Sequence, residues 1–182
     1  MDKYILSEEE TVFMIVDIQE RIVPAMHNGQ SVIHNTNIIL TLCQKLEIPI
    51  IVTEQYPKGL GKTVAEVRDN LGEVAVYEKI TYTGFTDDVA ASLRELGKKK
   101  VIIVGMETHV CVLQTTRDLL ANGYQVFVVG DGVCSRTKEN NQNGLSQMSA
   151  IGAVVTNTET VVFDILKQAG TPLFKEMSKL IK

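Results

Sequence analysis

The chain has 182 residues, of which 45% are hydrophobic, a formal net charge of -4, and three cysteines. Length and composition suit one domain spanning residues 1–182 with a sizeable core, and exclude the disordered class. The acidic balance argues against nucleic acid and anionic membrane as partners. The odd cysteine count fits reduced thiols in a cytoplasmic protein better than a disulfide framework.

The opening MDKYILSEEE lacks the basic-then-apolar pattern of a signal peptide. Residues 11–16 are apolar and of strand length, and they end at Asp17. Residues 30–45 repeat apolar side chains at helical spacing and stop ahead of Pro49. A second strand is predicted at 48–53, a Pro/Gly-rich loop at 54–62 and a short helix from Thr63 to Asn70. A third strand covers 75–78. Thr86 or Asp87 can cap a helix that runs to Leu96 and stops at Gly97. The cluster Lys98–Lys100 reads as a solvated turn. Residues 101–104 (VIIV) form the fourth strand, which turns at Gly105 into a helix over 110–121. The fifth strand is predicted at 124–129, a helix at 138–148, the sixth strand at 153–156, and terminal helices at 159–168 and 173–182. No apolar run reaches the length of a bilayer span, and the SKL near the end is not terminal, so it is no peroxisomal address.

Strands that alternate with helices signal βαβ units and a parallel sheet covered on both faces. Six strands are too few for an eight-stranded barrel, which leaves an open doubly wound sheet. Ligands of such sheets bind beyond the carboxyl ends of the strands, where strand order reverses. Three reactive residues follow strands: Asp17 the first, Lys79 the third and Cys111 the fourth. In the order 3-2-1-4-5-6, Asp17 and Cys111 become neighbours. Lys79 lies two strand spacings of about 4.8 Å away, so the loop 80–84 has to bring it inward. Cys111 sits near the first turn of a helix, where unpaired N–H groups and the helix dipole favour a thiolate. As a cysteine alone, it also reads as a small buried hydrophobe.

The segments VDIQ, EKITYTGF and VGMETHVCV carry Asp17, Lys79 and Cys111 in an order that resembles the isochorismatase-like cysteine hydrolases. That superfamily includes nicotinamidases, carbamoyl-sarcosine amidases and isochorismatases. The loop TEQYPKGLGKT and the terminal FKEMSKLIK resemble the isochorismatase-domain-containing branch. The resemblance implies a three-layer α/β/α fold with a six-stranded parallel sheet in the order 3-2-1-4-5-6. It implies a triad in which Asp17 is the general base, Lys79 the supporting cation and Cys111 the nucleophile. It also implies a cis peptide at Met106–Glu107, with the Glu107 and Cys111 amides as oxyanion hole, and a homo-oligomer, dimer or tetramer. Nicotinamidases hold a metal after their second strand through one Asp and two His. Glu54-Gln55-Tyr56-Pro57 stands there in this chain, so the expectation is no metal and no cofactor.

The expected reaction is hydrolysis of a small amide or related C–N bond through a thioester on Cys111. The alternatives are a non-catalytic scaffold that keeps the fold and a thiol-redox role for Cys111. YPKGLGKT resembles a phosphate-binding loop, but Tyr56 stands where such a loop needs glycine. Gln19, Tyr82, Phe85 and His109 are candidate pocket residues. Tyr82 and Phe85 either stack a flat substrate or simply pack, and His109 faces either the pocket or solvent. Cys43 reads as core, and Cys134, after the fifth strand, as a residue of the carboxyl edge.

Overall fold

The computed structural model describes residues 4–182. Six strands form one parallel sheet: β1 (Thr11–Val16), β2 (Ile50–Gln55), β3 (Val76–Lys79), β4 (Lys100–Met106), β5 (Gln125–Cys134) and β6 (Val154–Thr156). Their order is β3-β2-β1-β4-β5-β6, the order the resemblance implies. Eight helices connect and close the sheet: α1 (Gly29–Lys45), α2 (Pro57–Leu60), α3 (Ala65–Leu71), α4 (Asp87–Leu96), α5 (Leu113–Ala121), α6 (Lys138–Ala150), α7 (Thr158–Leu166) and α8 (Pro172–Ile181). Among the described residues, no helix is long and apolar enough to cross a membrane.

The period of two along each strand splits the core. Phe13, Ile15, Val52, Ile102, Val104, Phe127 and Val129 face α1, α3, α7 and α8. Val12, Met14, Val16, Ile51, Val101, Ile103, Val126 and Val128 face α4, α5 and α6. β1 and β4 are buried along their whole length, so they read as continuous apolar runs rather than alternating ones. Thr86, Thr137, Asn157 and Thr171 each cap the helix that follows by accepting a backbone N–H.

Several boundaries differ from the sequence reading. β2 runs through Glu54 and Gln55, because those polar side chains find partners inside the fold. The loop after it holds the one-turn helix α2, begun by Pro57. Lys100 is not in a solvated turn. It opens β4, is 1% exposed, and its ammonium meets the Glu10 carboxylate at 2.7 Å. Gly105 does not end β4: the strand passes through it at φ +133°, and a Cβ there would lie 1.9 Å from the Val16 carbonyl oxygen. That close approach seats the end of β4 against the end of β1, Val16 pairing with Gly105, and so fixes where Asp17 stands relative to the chain that carries Cys111. β5 likewise runs on to Cys134, which pairs with Met106.

Candidate active site

Asp17 leaves the end of β1 at φ +54°, a left-handed conformation that aspartate tolerates better than most residues. Its backbone N–H donates to the Thr53 carbonyl at 3.1 Å. Its carboxylate is fully buried. Oδ1 accepts from the Thr53 hydroxyl at 2.7 Å, and Oδ2 accepts from the Lys79 ammonium at 2.6 Å. The Cys111 thiol lies close enough to the same carboxylate for the two to influence each other's titration.

The loop after β3 does not carry Lys79 inward. Lys79 is the last residue of β3, paired with Gln55 of β2, and its own side chain spans β2 to reach Asp17. The loop instead folds over the ammonium. Nζ donates to Gln55 Oε1 at 2.8 Å and to the carbonyls of Thr81 and Tyr82, each at 3.2 Å. Gln55 is fixed in turn by donating to the Ile80 carbonyl at 3.0 Å. A buried cation with four acceptors around it is a satisfied one.

Cys111 lies in a π-helical turn, Thr108–Val112, between β4 and α5. Such turns recur at functional sites. The Met106–Glu107 peptide that enters this turn is cis. Thr115, one turn on, accepts from the Gly84 N–H at 2.7 Å and donates to the Cys111 carbonyl at 2.6 Å, so it ties the loop over Lys79 to the turn that carries Cys111. At Gly144 of α6, a Cβ would meet the backbone of Thr108 and His109 at 3.0 Å, and so α6 can press directly on the turn.

The titration of the site departs from the sequence reading. A helix start favours thiolate, but burial and the adjacent Asp17 carboxylate push the Cys111 thiol up to about 12. Lys79 and the Glu107 backbone N–H oppose this without reversing it. The resting group is therefore a thiol. Burial also raises Asp17 above the ordinary carboxyl range, against the pull of Lys79. A buried carboxylate with a raised affinity for protons, beside a thiol, can receive that thiol's proton.

The remaining candidates fall elsewhere. Gln19 is fully buried, and its amide is spent on the loop: Nε2 donates to the carbonyls of Gln55 and Gly61, and Oε1 accepts from the Gln55 N–H. Phe85 packs edge-on against Tyr124, with ring centroids 6.0 Å apart. The Tyr82 ring is exposed, while its carbonyl serves Lys79. His109 is half-buried, its Nδ1 2.9 Å from the Ser135 hydroxyl. A cleft of about 470 Å³ opens beside the site, lined by Tyr56, Pro57, Ile80, Thr81 and Lys79 among others, and neither Asp17 nor Cys111 lines it. The place of a nicotinamidase-type metal holds side chains already engaged, Glu54 with the Thr63 N–H and hydroxyl and Gln55 with Lys79. Sequence reasoning passed over Thr53, Gln55 and Thr115. For the first two the signal was present: two polar residues, two apart, at the carboxyl end of an apolar strand share one face.

Residues 11–160 match the Isochorismatase domain family. The chain is 38% identical over 182 residues to the secreted isochorismatase effector Isc1 of Phytophthora sojae, covering 97% of this chain and 87% of that protein. It is 37% identical over 180 residues to isochorismatase family protein 1A of Dictyostelium discoideum, covering 96% and 87%. Its fold superposes on a structure described as MAR1 ribonuclease from Caenorhabditis elegans with a TM-score of 0.92, at 34% identity over 97% of this chain and 91% of the other. Sheet order, matched span and relatives agree, and the chain belongs to the isochorismatase family.

Proposed function

We propose that this isochorismatase-family hydrolase is a cysteine-dependent, metal-independent amidase, acting on a small amide or related C–N bond through a thioester on Cys111. The observation that carries the reading is the buried Asp17 carboxylate, which contacts the Lys79 ammonium at 2.6 Å and stands close enough to the Cys111 thiol to shift its titration. A scaffold that merely kept the fold would not need a buried acid–cation pair beside a buried thiol. Cys111 is 7% exposed, which favours a small substrate.

The substrate carbonyl approaches Cys111, and the thiol proton passes to Asp17 as sulfur bonds to the carbonyl carbon. The carbonyl oxygen becomes an oxyanion, held by the Glu107 and Cys111 amides. Asp17 returns its proton to the leaving nitrogen, the C–N bond breaks, and the amine departs from a thioester. Water gives a proton to Asp17 and adds to the thioester carbon. Collapse releases the carboxylic acid, and the sulfur regains its proton. Lys79 keeps Asp17 ionised between these transfers by placing a positive charge 2.6 Å from it.

We take the chain as one domain that acts in the cytoplasm as a dimer or tetramer, without nucleic acid or membrane as partner. Unbridged Cys43, Cys111 and Cys134 support the reducing compartment. The test is intact mass after wild type and Cys111→Ala meet a panel of small amides and aldehydes. An acyl or tetrahedral adduct on wild type alone is expected. Absence of any adduct, with ordinary alkylation of Cys111, overturns the reading. The Caenorhabditis relative favours a second reading, hydrolysis of RNA. The net charge of -4 and the four acceptors around Lys79 weigh against it. Cleavage of labelled RNA by wild type but not by Cys111→Ala would establish it.

A further inference from the structure

Glu107 faces two ways. Its backbone N–H reaches toward the Cys111 sulfur. Its carboxylate lies toward the segment after β5, where Oε2 accepts from the Arg136 backbone N–H at 3.0 Å and from Arg136 Nε at 3.2 Å. The Glu107 side chain is 16% exposed and that of Arg136 62%. The two residues that follow are held by the same region: Thr108 donates to Asn141 Oδ1 at 2.6 Å, and His109 Nδ1 lies 2.9 Å from the Ser135 hydroxyl. Three successive side chains, that of Glu107 and those of the first two residues of the turn, are thus pinned to the β5–α6 segment, and the Glu107 amide is the one that acts on the Cys111 sulfur.

We propose that the Glu107 carboxylate and Arg136 are positioning groups. Through the doubly received hydrogen bond at Oε2, they hold the Glu107 N–H in line with the oxyanion that forms during acylation. The inference rests on the covalent reading above. It assigns a function to a side-chain pair that touches no reacting atom. An oxyanion donor works because it is already aimed when charge develops, and a displacement on the order of 1 Å at such a group can cost about 10²-fold in rate. The carboxylate is the longest lever the residue has for fixing its own amide.

The test compares two reactions of Cys111 in the full chain. Acylation by 4-nitrophenyl acetate, read as a 4-nitrophenolate burst, passes through an oxyanion. Alkylation by iodoacetamide forms a C–S bond by displacement and does not. Glu107→Ala is expected to slow the burst by roughly 10- to 100-fold, while alkylation, which loses only the help of the Glu107 N–H to the thiolate, slows far less. Glu107→Gln, whose amide oxygen still accepts from the Arg136 N–H, restores most of the burst. Arg136→Ala changes only an exposed side chain and retains the backbone donor, so it falls between them and carries the test even if Glu107→Ala does not fold. A wild-type burst rate in both Glu107→Ala and Arg136→Ala overturns the proposal, as does an equal fall in acylation and alkylation. A wild-type chain with no burst overturns the covalent reading itself, and this proposal with it.

Discussion

Among the described residues two lysines are buried, at opposite ends of the sheet, and each meets a carboxylate. Lys100 opens β4 at the amino end and pairs with Glu10, whose side chain is 45% exposed. Lys79 closes β3 at the carboxyl end and pairs with Asp17, whose side chain has no exposure at all. The contacts are almost equally short, 2.7 and 2.6 Å. The consequences are opposite. Glu10 keeps its water, so the hydrogen bond from Lys100 lowers its pKa. Asp17 has lost its water, so burial raises its pKa in spite of Lys79. A salt bridge becomes a proton acceptor when the acid, and not only the base, is taken out of solvent.

The largest effect should come from breaking the buried pair. Lys79→Met strands the Asp17 carboxylate in the site with Thr53 as its donor and Cys111 beside it. Removing one partner of a buried ion pair typically costs about 3–5 kcal/mol, and urea unfolding of the variant at neutral pH should show a loss of that order. Hydrolase activity should vanish with it. If Lys79→Met unfolds at the wild-type midpoint, the pair is not the dry contact described above.

Cys111 itself offers the next test, and a sharper one. Because its thiol is pushed up to about 12, alkylation by iodoacetamide should accelerate about tenfold per pH unit through pH 7–10 with no plateau. A plateau near pH 7 would mean a resting thiolate, the state that the start of a helix favours when its environment is left out.

That discrepancy marks the boundary of what the residues alone disclose. The alternation of strands and helices in the sequence predicts six parallel strands, and the resemblance supplies their order. With the order known, Asp17 and Cys111 fall side by side, since both follow adjacent strands. Lys79 was harder, because its reach depends on side-chain length and on Gln55, and neither is a matter of strand spacing. Lys100 was misread as solvated because charge clusters usually are, and only the packing of Glu10 against it decides otherwise. Gln19 sits beside the site in sequence, yet its amide is consumed by backbone it meets across 36 and 42 residues of chain. Local patterns disclose which elements form. Burial and long-range hydrogen bonds decide which groups remain reactive, and those depend on the assembled fold.

The smallest effect concerns the exposed end of the comparison, and there the sign matters more than the size. Folded Glu10 releases its proton more readily than the unfolded chain, whose value is near 4.5. Between the folded and unfolded values the unfolded chain binds more protons, so stability rises with pH there and is lost as pH falls through the folded value. Asp17 has the reverse sign. Its folded value lies above 3.8, so the folded chain binds more protons, and stability declines as pH rises from 3.8 toward the folded value. Glu10→Gln should therefore flatten the acid loss of stability below about pH 4.5, whereas Asp17→Asn should steepen it by removing the opposing contribution. Urea midpoints recorded from pH 3 to pH 7 separate the two variants. Acid profiles that shift in the same direction would mean that Asp17, like Glu10, is governed by its lysine rather than by its burial, and a carboxylate so governed would be a poor acceptor for the Cys111 proton.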